Sequence, residues 1–170
     1  MTEIRSKKPQ IAGSVFLADG CKVIGDVTIE EHSSVWYNSV IRGDLAKIHI
    51  GEYTNIQDLV MIHVSGNQPA TIEDHVTVGH SASLHGCTIR KGSLVGMGSI
   101  VLDGAIINEE TYIAAGTLVP GNKTYPPRVM LMGTPARIAR ELTETEIQTM
   151  HETAERYARK AEDAQQTDNT

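Results

Sequence analysis

The sequence predicts an all-β fold: a parallel β-helix of hexapeptide repeats, followed by a C-terminal α-helix. Three observations carry this reading. Aliphatic residues recur every six positions, at Ile11, Leu17, Val23, Ile29, Val35 and Ile41. The series resumes at Ile50, Ile56 and Ile62, then at Ile72, Val78 and Leu84, and runs from Ile89 through Val95, Val101, Ile107 and Ile113 to Val119. Four residues after most of these sits a small or β-branched residue, such as Cys21, Val27, Ser33, Ser39, Thr54, Val76, Ala82, Thr88, Ser99 or Ala105. Finally, one Trp, one Phe and five Tyr are too few to fill a core with rings, so aliphatic side chains must build it.

A period of six suits neither a helix nor a hairpin sheet. It suits short strands joined by tight corners, each repeat forming one flat face. Three repeats make a triangular coil of 18 residues, and eighteen repeats make six coils. At the spacing of neighbouring strands the prism is ~29 Å tall. Interior aliphatics stack on their equivalents above and below, and small fifth-position residues fit the corners. A β-sandwich is the competing fold, and so many near-regular steps argue against it. The steps that depart from six are Ile41 to Ile50, Ile62 to Ile72 and Leu84 to Ile89.

The pattern ends at Val119 on this reading. Loops are expected at 121–127 and at the turn 133–137. Thr143 and Glu146 then form a capping box, with Leu142 and Ile147 as its hydrophobic staple. Ile147, Met150, Ala154, Tyr157 and Ala161 recur at helical spacing and should pack along the prism. The chain therefore divides into a β-helix domain carrying the site, residues 1–140, and a helix with a polar, frayed tail, residues 141–170. That tail starts at about Gln165.

Composition narrows the partners. A net charge of −6 offers nothing to nucleic acid or to an anionic membrane. No apolar stretch is long enough to span a bilayer. Residues 1–10 hold basic residues without the apolar run of a signal peptide. Cys21 and Cys87 are far apart and read as small buried residues in a reducing, cytoplasmic setting.

The repeat register places side chains. Ile24, Arg42, His63, His85 and Leu102 form one outward column, since 42 to 63 and 63 to 85 are each one coil plus an insertion. On the preceding face, Trp36, Gln57, Gly79 and Gly96 form a column, and Tyr37, Asp58, His80 and Met97 the next. His80 thus lies around a corner from the stacked pair His63 and His85. Convergence of the three imidazoles needs a three-fold oligomer in which that corner of one subunit meets the pair of the next. Three imidazoles with an open fourth position suit catalytic zinc. Asp44, Gln57 and Asp58 are at hand to orient ligands or a metal-bound hydroxide. From spacing alone, chance alignment of surface histidines and an ordinary Arg42–Asp44 surface pair stay open. His32, His49, His75 and His151 have no stacked partners in this map and are expected to be solvated.

At these residues the sequence resembles the γ-class carbonic anhydrases. The matching segments are Ile41-Arg42-Gly43-Asp44, Asn55-Ile56-Gln57-Asp58, His63, Val78-Gly79-His80, Leu84-His85-Gly86-Cys87, Val95-Gly96-Met97-Gly98 and Gly133-Thr134-Pro135-Ala136. The resemblance covers roughly residues 9–145. It implies a left-handed β-helix and a homotrimer with interfacial zinc, iron or cobalt being the alternatives. His63 and His85 of one subunit and His80 of the next would be the ligands. Arg42 and Asp44 would form an intersubunit ion pair, Gln57 would orient the hydroxide, and Asp58 would be its neighbour in the site. The implied activity is that of a carbonate dehydratase, a lyase that reversibly hydrates CO₂ to bicarbonate. The founding enzyme carries an acidic loop with a proton-shuttling glutamate. Here residues 64–71 hold no carboxylate, and Leu45 follows Asp44 where the founding enzyme has glutamate. Turnover should be slower as a result. Hydrolysis of acyl thioesters, a non-catalytic trimeric scaffold and coenzyme-A-dependent acyl transfer are the alternative functions.

Overall fold

The computed structural model describes residues 7–168, so the expectations for residues 1–6 and 169–170 lie outside it. The chain is a left-handed parallel β-helix of about seven turns, with one α-helix, Glu144–Asp168, laid along it.

Each expected interior column is a hydrogen-bonded ladder. Val23, Ile41, Ile62, Leu84, Val101 and Val119 pair in register on one wall. Leu17, Val35, Ile56, Val78, Val95 and Ile113 do so on the second. Ile11, Ile29, Ile50, Ile72, Ile89 and Ile107 line the third. Every one of these from Ile29 onward is buried, while Ile11 and Leu17, in the open first coil, are exposed. The strands Lys22–Ile29 and Val40–Ile50 run through the corner between the first and third walls, which therefore merge into one eleven-stranded sheet.

The interior series does not end at Val119. Tyr125 stacks on Ile107 and Leu131 on Ile113, and both are buried. What reads as a loop at 121–127 is a corner followed by a further wall strand, Thr124–Tyr125. An aromatic fits there because the coil is the last on its wall, with no neighbour above to crowd the ring; a search for aliphatics passes over it. The turn at 133–137 joins Val129–Gly133 to the antiparallel strand Ala136–Glu141. That strand covers the exposed backbone edge of the second wall.

The corners turn by one rule. The third residue after an interior position takes positive φ, as at His32, Asn38, Tyr53, Leu59, His75 and Ser81. Two of these corner residues correct the expectation of isolated histidines. His32 and His75 sandwich Tyr53, with ring centroids 4.7 and 5.1 Å apart. Corner positions stack from coil to coil just as interior ones do. His151, on the helix, meets Glu110 at 3.2 Å.

Fifth-position hydroxyls do more than fit. Ser39 Oγ donates to Gln57 O at 2.6 Å and accepts from Val60 N at 3.0 Å. Thr54 Oγ1 donates to Glu73 O at 2.7 Å and accepts from Val76 N at 3.1 Å. Each hydroxyl thereby satisfies backbone groups of the next coil that the turn leaves without ladder partners. Thr88 is not such a residue. The shortened step from Leu84 puts Cys87 in that place, aligned with Ala70 and Ala105 through Thr71 N to Cys87 O and Thr88 N to Ala105 O. Burial pushes the Cys87 thiol up to about 12. Cys21 is only half-buried.

The helix begins as its sequence dictates. Thr143 N donates to Glu146 Oε2 at 2.9 Å, Glu146 N donates to Thr143 Oγ1 at 3.3 Å, and Leu142, Ile147 and Met150 bury together. Ala154, Ala158 and Ala161 then bring its backbone close to the second wall. It continues past Gln165 to Asp168, beyond the point where fraying is expected.

Two outcomes follow. Thr54→Val keeps shape but strands the buried Val76 N–H and Glu73 carbonyl, so urea unfolding should show a loss of about 1–3 kcal/mol. Burial, then Lys91, lowers the His75 pKa below 6.5. The folded chain therefore binds fewer protons than the unfolded one below that pH. Stability should fall as pH drops through about 6.5 toward the lowered value, and the urea midpoint of His75→Gln should lack that part of the slope.

Candidate metal centre

The parallel ladder pairs Arg42 with His63 and His63 with His85. The two imidazoles stand on adjacent coils, ring centroids 5.0 Å apart and nearly perpendicular. Both are half-buried. Carboxylates bracket the pair. Asp44 Oδ1 lies 2.9 Å from His63 Nε2, and Asp103 Oδ1 lies 2.7 Å from His85 Nδ1. Between the rings, His63 Nδ1 faces His85 Nε2 at 3.1 Å. Asp44, His63, His85 and Asp103 thus form one row across four coils.

Hydrogen bonds favour the ionised form of both carboxyls. Burial would raise Asp44, but hydrogen bonds from His63 and Arg42 outweigh it and hold its pKa below the ordinary value. Burial likewise opposes, and hydrogen bonds from His85 and Ser65 prevail, at Asp103. An ionised carboxylate only accepts. His63 Nε2 and His85 Nδ1 must therefore carry the protons. When both rings are neutral, the inner nitrogens His63 Nδ1 and His85 Nε2 present lone pairs to each other at 3.1 Å. That arrangement calls for a cation between them, a proton or a metal. Two nitrogens at ~2.05 Å from a tetrahedral zinc are ~3.4 Å apart. The residues present fit such an ion.

His80 is elsewhere, as the register requires. Its Nδ1 lies 2.8 Å from Asp58 Oδ2, on the coil below, and its backbone N–H donates to Gln57 Oε1 at 3.3 Å. Gln57 is buried, and its Nε2 donates to Asn55 Oδ1 at 3.2 Å. Asp58 Oδ1 accepts from Tyr37 N at 3.1 Å. Among the described residues no group of three or more His, Cys, Asp or Glu within the single chain could enclose a metal ion. Arg42 Nη1 reaches Asp44 Oδ2 of its own chain at 2.5 Å. Exposed apolar side chains flank the histidines: Ile24, Met61, Ile100 and Leu102 beside the pair, Leu59 and Met97 at the corner with His80.

Sequence reasoning missed Asp103 and Ser65, whose Oγ donates to Asp103 Oδ2 at 3.0 Å. The outward column names Leu102 and stops one residue short. The signal was the shortened step after Leu84: Gly86 turns there without a Cβ, and any Cβ would run into Asp103 Oδ1.

Curated relatives share nearly the whole chain. A carbonic anhydrase of Geobacillus kaustophilus is 49% identical over 93% of this chain and 87% of its own length. Gamma carbonic anhydrase 2, mitochondrial, of Arabidopsis thaliana is 40% identical over 92% of this chain. The chain belongs to the γ-class carbonic anhydrase-like family. It spans 59% of the Arabidopsis family member's length. A Bacillus cereus crystal structure, provisionally named an acetyltransferase, matches with a TM-score of 0.91 at 46% identity, covering 92% of this chain and 91% of its own. No protein-family model matches the chain. Among the described residues, no helix is long and apolar enough to cross a membrane.

Proposed function

We propose that this chain reversibly hydrates CO₂ to bicarbonate as a homotrimer. A metal ion would be held by His63 and His85 of one subunit and His80 of the next. The observation that carries the reading is the pair of inner ring nitrogens 3.1 Å apart, each ring held from behind by a carboxylate. Relatives named carbonic anhydrase, at 49% and 40% identity, support the reaction.

A bound zinc supplies hydroxide at neutral pH, since it lowers the pKa of water from 15.7 to about 7. The chain's own residues do the rest. Asp44 and Asp103 keep the outer nitrogens as donors, so the inner ones stay available as ligands. Gln57 is held at both ends of its amide, by His80 N–H and by Asn55, and its second Nε2 hydrogen is free to orient the reacting oxygen. Asp58 receives His80 Nδ1, which would leave that ring's other nitrogen as the ligand offered to a neighbouring subunit. Arg42 balances Asp44 at the edge of the site. The exposed apolar residues on both sides of the corner are the surface that trimer formation would bury.

One observation favours a second reading, hydrolysis of an acyl thioester. A cleft of about 270 Å³ lies beside Gln57 and His80, between the helix and the second wall, with Leu94, Met97, Tyr112 and Tyr157 in its lining. It offers far more room than CO₂ needs.

Stopped-flow hydration of CO₂ by zinc-, iron- and cobalt-loaded protein decides between them, run beside a panel of acyl-coenzyme A substrates. The expected result is metal-dependent CO₂ hydration that His63→Ala and His80→Ala each reduce at least about 100-fold. No rate above buffer with any metal would reject the anhydrase reading. Thioester cleavage lost in His80→Ala would establish the second.

A further inference from the structure

Asp103 lies one coil beyond His85 and reaches back to it. Its two carboxylate oxygens have separate tasks: Oδ1 takes the His85 Nδ1–H at 2.7 Å and Oδ2 takes the Ser65 hydroxyl at 3.0 Å. Ser65 belongs to the insertion between Ile62 and Ile72, so three elements meet here: that insertion, the shortened corner at Gly86, and the coil of Asp103. Gly104 N donates to Gly86 O at 2.8 Å, which locks the two coils at this point. The missing Cβ at Gly86 is the space through which Asp103 Oδ1 approaches. With both oxygens engaged, the carboxylate plane is fixed, and with it the ring it holds.

We propose that Asp103, braced by Ser65, is a positioning residue that sets the tautomer and orientation of His85 as a metal ligand. This rests on the metal-site reading above. Asp44 stands in the same relation to His63, but it also carries Arg42 and so has a second task. Among the described residues, no Lys or Arg lies within ion-pairing distance of Asp103, and its one ring partner is His85. Its geometry therefore serves His85. Without it, the proton on His85 is free to move to Nε2, the nitrogen that faces His63, and a protonated nitrogen cannot ligate. A carboxylate that fixes ring and tautomer in this way typically contributes 10- to 100-fold in metal affinity, roughly what the chain should lose without it.

The test is zinc affinity of the metal-free full chain, measured by competition with a chromophoric chelator, with the visible spectrum of the cobalt-loaded form as a second readout. Asp103→Ala should weaken zinc binding by about 10- to 100-fold and broaden the cobalt bands. Asp103→Asn, whose carbonyl oxygen still accepts from Nδ1, should restore most of the affinity and the wild-type spectrum. Ser65→Ala should shift both in the direction of Asp103→Ala, by less. His85→Ala is the control. If Asp103→Ala binds zinc as the wild type does while His85→Ala does not, the positioning role is wrong and the metal site stands. If His85→Ala also binds as the wild type does, the metal-site reading fails and this proposal falls with it. Ser65→Ala removes the brace and leaves Asp103 in place, so it decides the matter if Asp103→Ala does not fold: wild-type affinity and spectrum in Ser65→Ala would then overturn the proposal.

Discussion

The ladder of parallel hydrogen bonds between successive coils is the constraint on which the rest depends. A parallel ladder fixes which residue stands above which, and a slip of one position would turn every interior side chain outward. Here the slip is blocked by an interior filled with Ile, Val and Leu stacked in three columns. Residues 22 positions apart, His63 and His85, become neighbours only because Ile62 and Leu84 are interior neighbours. The core and the site are thus one geometric object: the pairing that buries the aliphatics also juxtaposes the imidazoles.

Regular coils alone would give a featureless prism. The departures from six make the site, and all three fall at the same corner. The long step after Ile41 supplies Asp44. The longer step after Ile62 supplies Ser65. The short step after Leu84 brings Gly86 and Cys87 in close, and so opens the way for Asp103. At most other corners, from His32 and Asn38 to Asn122 and Arg128, a positive-φ residue makes the turn in the same way. The three irregular steps cluster at the candidate metal centre, at a local cost in regularity that the stacked walls on either side can bear.

Much of this was legible in the sequence because two elementary periodicities were strong. The six-residue step named the interior, and adding one to each interior position named His63, His85 and Arg42 as a column. The capping box at Thr143 and Glu146 announced the helix. What was lost had definite causes. Tyr125 and Leu131 extend the core, but an aromatic at the last coil breaks an aliphatic pattern. The stack of His32, Tyr53 and His75 sits on corner positions, and the map followed only wall positions. Asp103 acts from one residue beyond the column, across a corner whose shortening the sequence displayed without revealing what it made room for.

That a metal is shared between chains is the claim everything functional rests on, and subunit mixing tests it directly. Homotrimers of His80→Ala chains, and of His85→Ala chains, each lack one part of every site. Unfolding and refolding the two together should rebuild complete sites wherever a chain with intact His63 and His85 abuts one with intact His80. Random assembly makes that about one interface in four. Zinc bound tightly at about a quarter of the wild-type stoichiometry, absent from either parent alone, is the result this account predicts. A mixture that binds no more than its parents would contradict it.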